Sequence, residues 1–323
     1  MKSLRTAFIL FVLFLASLSC APKQQKKAAT VHFPMVKVPS MLEGVEERYG
    51  YHAVHFWDEY FKLAENGISV DSTVVGGVEV QELEQAMANY LSVLENLPLD
   101  EACAAVSFFT GKLVSFEEAD STTNVFESVS SLFEKYVYDP NSPLRDEDLY
   151  TPYARNMSQC GLVAPEKREA YAEDARLTLL NRRGTKAADF SFTDRHGRRY
   201  SLYGVEAQYI ILFFSNPGCT ACKEIIDELS QDEMIGGMIA SGSLTVLNIY
   251  IDEDIQGWLD YMPIYPDSWY NGFDDSHMVR DEELYNVRAI PSLYLLDADK
   301  TVLLKDATPD NLINTIYSNE TVS

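Results

Sequence analysis

The spacing of hydrophobic positions divides the chain near residue 184. Before it, apolar residues recur three and four apart, the repeat of a helix with one buried face. Residues 45–65 carry Tyr49, His52, Phe56, Tyr60 and Leu63 as one stripe. Similar stripes run through 79–94, 100–116, 124–138 and 165–183. Asp100 and the Asp120-Ser121 pair supply helix starts, and the segment from Pro140 to Pro143 supplies a break. The pattern predicts five or six helices packed as an all-α bundle over residues 31–183, with no repeat of fixed period.

From residue 184 the period shortens. Residues 187–202 alternate around Gly197, which predicts a hairpin. Tyr209 to Phe214 is six apolar residues in a row, as expected of a strand buried on both faces. Further strands are expected over 244–251, after Pro291 and over 301–305, and helices around 280–285 and over 309–317. Residues 258–269 read as an aromatic connection. Strands interleaved with helices predict an α/β domain over 184–323, a central mixed sheet flanked by helices.

The chemistry concentrates where the 209–214 strand ends. Ser215-Asn216-Pro217-Gly218 breaks it, Cys219-Thr220-Ala221-Cys222 follows, and Ile225, Ile226 and Leu229 then recur at helical spacing. Both cysteines therefore fall at the start of a helix, where free N–H groups and the dipole favour a thiolate. Cys222, one turn on, is placed to attack a mixed disulfide formed on Cys219. Two other uses of such a pair fit less well. A zinc site needs a second pair of Cys or His ligands, and none follows. A structural bridge closing so short a loop contributes little entropic stabilisation. His52 and His55 lie three apart without the glutamate of a zinc-protease motif, so no metal ligand and no cofactor is assigned.

Strand, CxxC, helix, and later Ile290-Pro291 opening a strand resemble the thioredoxin fold. The preceding hairpin resembles the TlpA/ResA-like and peroxiredoxin-like branch of that superfamily, over roughly residues 186–318. The resemblance implies a cis Pro291 facing the CxxC, with Ile290 pairing through its backbone with substrate. It implies a thiol–disulfide oxidoreductase acting on protein disulfides, with Cys219 as nucleophile and Cys222 as resolving thiol. Ile before the proline resembles reducing thioredoxins, which implies a reductase fed by an electron donor in the membrane; a dimer would suit an isomerase instead. The Pro-x-x-x-Thr/Ser-x-x-Cys pattern of peroxiredoxins is absent. Two departures are plain. Phe213 stands where thioredoxins bury a carboxylate six residues before the first cysteine, and Gly218 stands where they carry tryptophan. The first of these supports a rival reading, a binding or scaffold protein that kept the fold and lost turnover.

The amino terminus sets the compartment. Lys2 and Arg5 precede an apolar run from Ala7 to Leu18, too short to span a bilayer and ordered like a secretory signal. With Ser19 and Cys20 after it, residues 1–20 resemble a bacterial lipoprotein signal, although Ser17 replaces the usual leucine. That resemblance implies lipidation of Cys20 and, with no Asp at residue 21, delivery to the outer membrane facing the periplasm. Residues 21–30 are polar, a flexible tether. A helical domain ahead of a thioredoxin-like one also resembles exported Gram-negative lipoproteins.

Composition narrows the partners. With 26 basic against 49 acidic residues, net charge −23, the chain is a poor match for nucleic acid. The remaining cysteines are Cys103, expected as a small buried hydrophobe, and Cys160, expected in an exposed loop, and a bridge between them is left open. Asp146-Glu147-Asp148 reads as helix-start or surface charge.

Overall fold

The computed structural model describes residues 30–65 and 73–322. The expected signal, Cys20 and nearly all of the tether lie outside these residues.

The first half is helical, as its pattern predicts. It comprises α1 (Val45–His55), α2 (Asp58–Ala64), α3 (Val80–Leu94), α4 (Leu99–Ala119), α5 (Val125–Val137), α6 (Glu147–Gln159) and α7 (Pro165–Leu177), with a two-residue hairpin β1 (Val74–Val75) and β2 (Val78–Glu79) between α2 and α3. The helix expected over 45–65 is broken at Phe56 and Trp57. Phe56, Trp57, Tyr60 and Phe61 are all buried on either side of the break and enter the helical core together. There Trp57, Tyr90, Phe109, Phe133 and Tyr153 form a chain of aromatic contacts with centroids 4.8 to 5.9 Å apart.

Helix α6 is hidden in the sequence by Pro152, which lies inside it. Proline removes one N–H and leaves the carbonyl four residues earlier, that of Asp148, without its helical donor. The Cys103 thiol donates to that carbonyl at 3.4 Å. Cys103 is therefore a half-buried hydrogen-bond donor rather than a simple apolar filler. Cys160 departs from expectation as well. It caps α6 inside the helical core, 6% exposed, and both thiols are free.

The second half holds a seven-stranded mixed sheet. Its strands are β3 (Ser191–Asp194), β4 (Arg199–Ser201), β5 (Tyr209–Phe214), β6 (Leu244–Tyr250), β7 (Tyr270–Phe273), β8 (Ser292–Asp297) and β9 (Val302–Leu304), in the order β4-β3-β7-β6-β5-β8-β9. Strands β5, β6 and β7 are parallel, and the other pairings are antiparallel. The helices are α8 (Thr220–Gln231), α9 (Glu233–Ser241), α10 (Ile255–Tyr261), the short α11 (Met278–Asp281) and the closing α12 (Pro309–Val322). Central β5 is buried on both faces. Ile211 and Phe213 pack with Cys222, Ile225 and Leu229 of α8; Ile210, Leu212 and Phe214 pack with Phe190, Tyr285 and Tyr294 on the other side. Strand β7 escaped the sequence reading because Tyr270-Asn271-Gly272-Phe273 carries no apolar run. Gly272 is required there: a Cβ would lie 2.5 Å from the Phe192 ring.

The two halves meet through charge. Glu147 and Asp148 are each 1% exposed, which corrects the reading of their triplet as surface charge; only Asp146 acts as a helix start, accepting from the Leu149 amide at 3.1 Å. Asp148 takes Arg183 at 2.6 Å, and Glu147 takes Arg288 and Lys305 from the second half at 2.7 and 2.8 Å. Sequence distance concealed these partners.

Candidate redox site

Strand β5 ends at Phe214, and four turn residues carry the chain to α8. Gly218 sits at φ +74° with open space around the position of a Cβ. The left-handed backbone, rather than crowding, is what requires glycine here. The tryptophan expected at this place by resemblance would be strained for that reason. Cys219 is the N-cap of α8, half-buried, and Cys222 is buried one turn later. The two are joined as a disulfide with Cα atoms 5.2 Å apart. The Cys222 amide donates to the Cys219 sulfur at 3.1 Å. In the reduced pair the same N–H, with the helix dipole behind it, would favour a Cys219 thiolate.

The second predicted element lies at the same end of the sheet. Ser292 pairs with Phe214 in the antiparallel register of β5 and β8, so Pro291 sits just beyond the last residue of the strand that delivers Cys219. The Ile290–Pro291 peptide is cis. Both residues are half-exposed, and the Ile290 side chain bridges the cores on the two faces of the sheet. The structure therefore brings Cys219, Cys222, Ile290 and Pro291 to one end of the sheet.

Phe213 is fully buried on the α8 face, packed with Cys222, Ile225 and Leu229. Neutral polar groups lie on that side too. The Ser215 hydroxyl donates to Asn248 Oδ1 at 2.5 Å, and Asn248 Nδ2 donates to Asn271 Oδ1 at 3.0 Å. Burial pushes the nearby Tyr265 hydroxyl up from its ordinary pKa, against contacts with Ser215 and Asn248 that act the other way. Asn216 Nδ2 donates to Asp252 at 2.6 Å, fixing the turn before Cys219 to the end of β6. The sequence reading missed this string. Its one signal was Asn248, a polar residue within the buried run Val246 to Tyr250. Glu224 is exposed on α8.

His52 stacks on Phe56 at 5.4 Å, and His55 bonds Asp58 at 2.7 Å. Among the described residues no group of three or more His, Cys, Asp or Glu is arranged to hold a metal ion. Among them, too, no helix is long and apolar enough to cross a membrane.

Residues 17–181 match the family described as "Domain of unknown function (DUF5106)". The chain belongs to that family. The crystal structure of a thioredoxin-like protein from Bacteroides caccae is 34% identical to this DUF5106 chain, covering 88% of it and 98% of the other, with a TM-score of 0.73. The C-terminal half has the thioredoxin-like fold, behind a helical half. The C-terminal domain of an uncharacterized protein from Bacteroides fragilis is 43% identical, covering 42% of this chain and 98% of that one, with a TM-score of 0.42. A thioredoxin domain of a thiol-disulfide oxidoreductase from Bacteroides vulgatus is 21% identical, covering 42% and 96%, with a TM-score of 0.38. No curated protein matches the DUF5106 chain.

Proposed function

We propose that this DUF5106 protein is a thiol–disulfide oxidoreductase of TlpA/ResA-like type, tethered to a membrane through Cys20 and working on protein disulfides in the periplasm. The observation that carries the reading is the asymmetry of the pair. Cys219 is half-buried and its sulfur accepts a helix N-terminal amide, while Cys222 is buried one turn behind it.

The chemistry follows from that asymmetry. The Cys219 thiolate attacks one sulfur of a substrate disulfide, forming a mixed disulfide and releasing the other substrate sulfur as a thiolate. Deprotonated Cys222 then attacks Cys219, freeing the second substrate thiol and leaving the Cys219–Cys222 bridge seen here. Two electrons pass to the substrate, and a membrane dithiol donor returns them. Ile290 and Pro291 line the edge on which the substrate chain lies. The outer membrane, facing inward, is the favoured location.

The buried Phe213 favours one rival, a thioredoxin-fold scaffold without turnover, since it fills the position from which a carboxylate would take the Cys222 proton. Insulin reduction driven by dithiothreitol separates the two. Turnover by the wild type that Cys219→Ser abolishes is expected; equal rates for both proteins would leave the scaffold.

A further inference from the structure

Glu147 is a carboxylate of the helical half buried among groups of the other half. Its Oε1 accepts from Asn286 Nδ2 at 2.8 Å and from Arg288 Nε at 2.7 Å, and its Oε2 pairs with Lys305 at 2.8 Å. Lys305 is 7% exposed and also donates to the carbonyls of Thr178 and Leu180, 2.8 and 2.6 Å away, at the end of the helical half. These partners flank one strand. Asn286 and Arg288 lead into Ile290–Pro291, where β8 begins, and Lys305 follows β9, which pairs with β8.

Arg288 is held from every side. Besides Glu147, it donates to the Tyr138 carbonyl, lies over the Tyr138 ring at 4.0 Å, and pairs with Asp306 at 3.0 Å. Tyr138 is itself stacked on Tyr150, 3.7 Å between centroids. Farther back, Asn181 Nδ2 donates to the Leu284 carbonyl at 2.7 Å. The chain from 284 to 288 is thus fastened to the helical half at three successive even-numbered residues, and two residues later comes Ile290.

Adhesion alone does not account for this. Buried ion pairs lose in desolvation much of what they gain by attraction, and apolar replacements of equal volume hold two surfaces together as well or better. A planar guanidinium held on several edges supplies direction instead. We propose that Glu147 is a positioning residue. Through Asn286 and Arg288, the helical half sets the placement of the Ile290–Pro291 turn against which a disulfide-bearing polypeptide lies beside Cys219. The proposal rests on the redox reading above, and gives the DUF5106 half a role in the reaction without contact with the sulfurs.

The test compares the wild type, Glu147→Gln and Glu147→Gln/Lys305→Met, the double variant removing the lysine charge that the single one strands. Each is assayed on insulin and on Ellman's reagent, a small disulfide that needs no docking edge. Amide hydrogen exchange of residues 289–292 is followed in parallel. The expected result is a rise in KM for insulin of about fivefold or more, the usual scale of coupling between two sites. The kcat and the Ellman rate stay at wild-type values, and exchange at 289–292 quickens while that of α8 does not. Unchanged KM and exchange in the folded double variant, or Ellman and insulin rates falling together, overturns the proposal. A wild type inert toward both disulfides overturns the redox reading and the substrate role built on it, whereas the exchange result judges the anchoring by itself.

Discussion

The Cys103 thiol donates to the Asp148 carbonyl at 3.4 Å, the carbonyl that Pro152 leaves without a helical donor. Arg182 approaches the same sulfur at 3.6 Å, so Cys103 ties α4 to α6 and to the chain that leaves the helical half. Burial pushes its thiol up from the ordinary pKa, against the pull of Arg182.

A hydroxyl keeps the donor and an isopropyl group removes it. Cys103→Ser is expected to stay close to wild-type stability, whereas Cys103→Val is expected to lose about 1–2 kcal/mol in urea unfolding, the cost of a buried carbonyl left unpaired. Equal stability of the two variants would show that the bond contributes nothing.

Gly218 gives the second prediction. At φ +74° a side chain meets backbone strain even though nothing crowds it. Gly218→Ala should cost about 1–2 kcal/mol, the penalty for an L-residue in the left-handed region. A change within error would mean that the turn before Cys219 relaxes freely.

Asp232 caps α9, accepting from the Met234 and Ile235 amides at 3.0 and 2.9 Å, and also takes the Tyr317 hydroxyl of α12 at 2.5 Å. Burial would raise its pKa, but these donors outweigh it and hold the carboxyl below the ordinary 3.8. A depressed folded-state pKa means stability that is complete above the unfolded value and fades as pH falls through the folded one. Asp232→Ala should therefore lose about 1 kcal/mol near neutral pH, the usual worth of such a cap. The gap to wild type should narrow below pH 3.8. Thermal unfolding across pH 2 to 7 checks both the size and the sign; a gap that widens in acid contradicts the assignment.

Much of this architecture is legible in the sequence because burial and periodicity coincide in it. Strand β5 is six apolar residues, and six buried ones. The helix start at Cys219 and the strand start after Pro291 are where turn chemistry puts them. What is hidden depends on partners far along the chain. Helix α6 carries a proline and opens on three acids, and partners such as Arg183, Arg288 and Lys305 explain why two of those acids are inside. Strand β7 carries Asn and Gly because its neighbours, Asn248 and the Phe192 ring, demand them. Within the site the cysteines are legible from spacing, while the Ser215–Asn248–Asn271 string is not, since single polar residues in a turn and two separate strands carry no shared local pattern.

The proposed anchor is open to a fractionation test. Wild-type chain should sediment with membranes and enter the detergent phase, and Cys20→Ala should leave both. Wild-type chain in the soluble fraction would contradict the tether.

The most direct test of the central claim is the reduction potential of the Cys219–Cys222 pair, by equilibration with dithiothreitol or glutathione. A reductase fed by a membrane donor predicts a value near that of thioredoxin, about −270 mV. A value near about −120 mV would mark an oxidant and reverse the proposed direction. A pair that never forms the bridge in solution would contradict the redox account altogether.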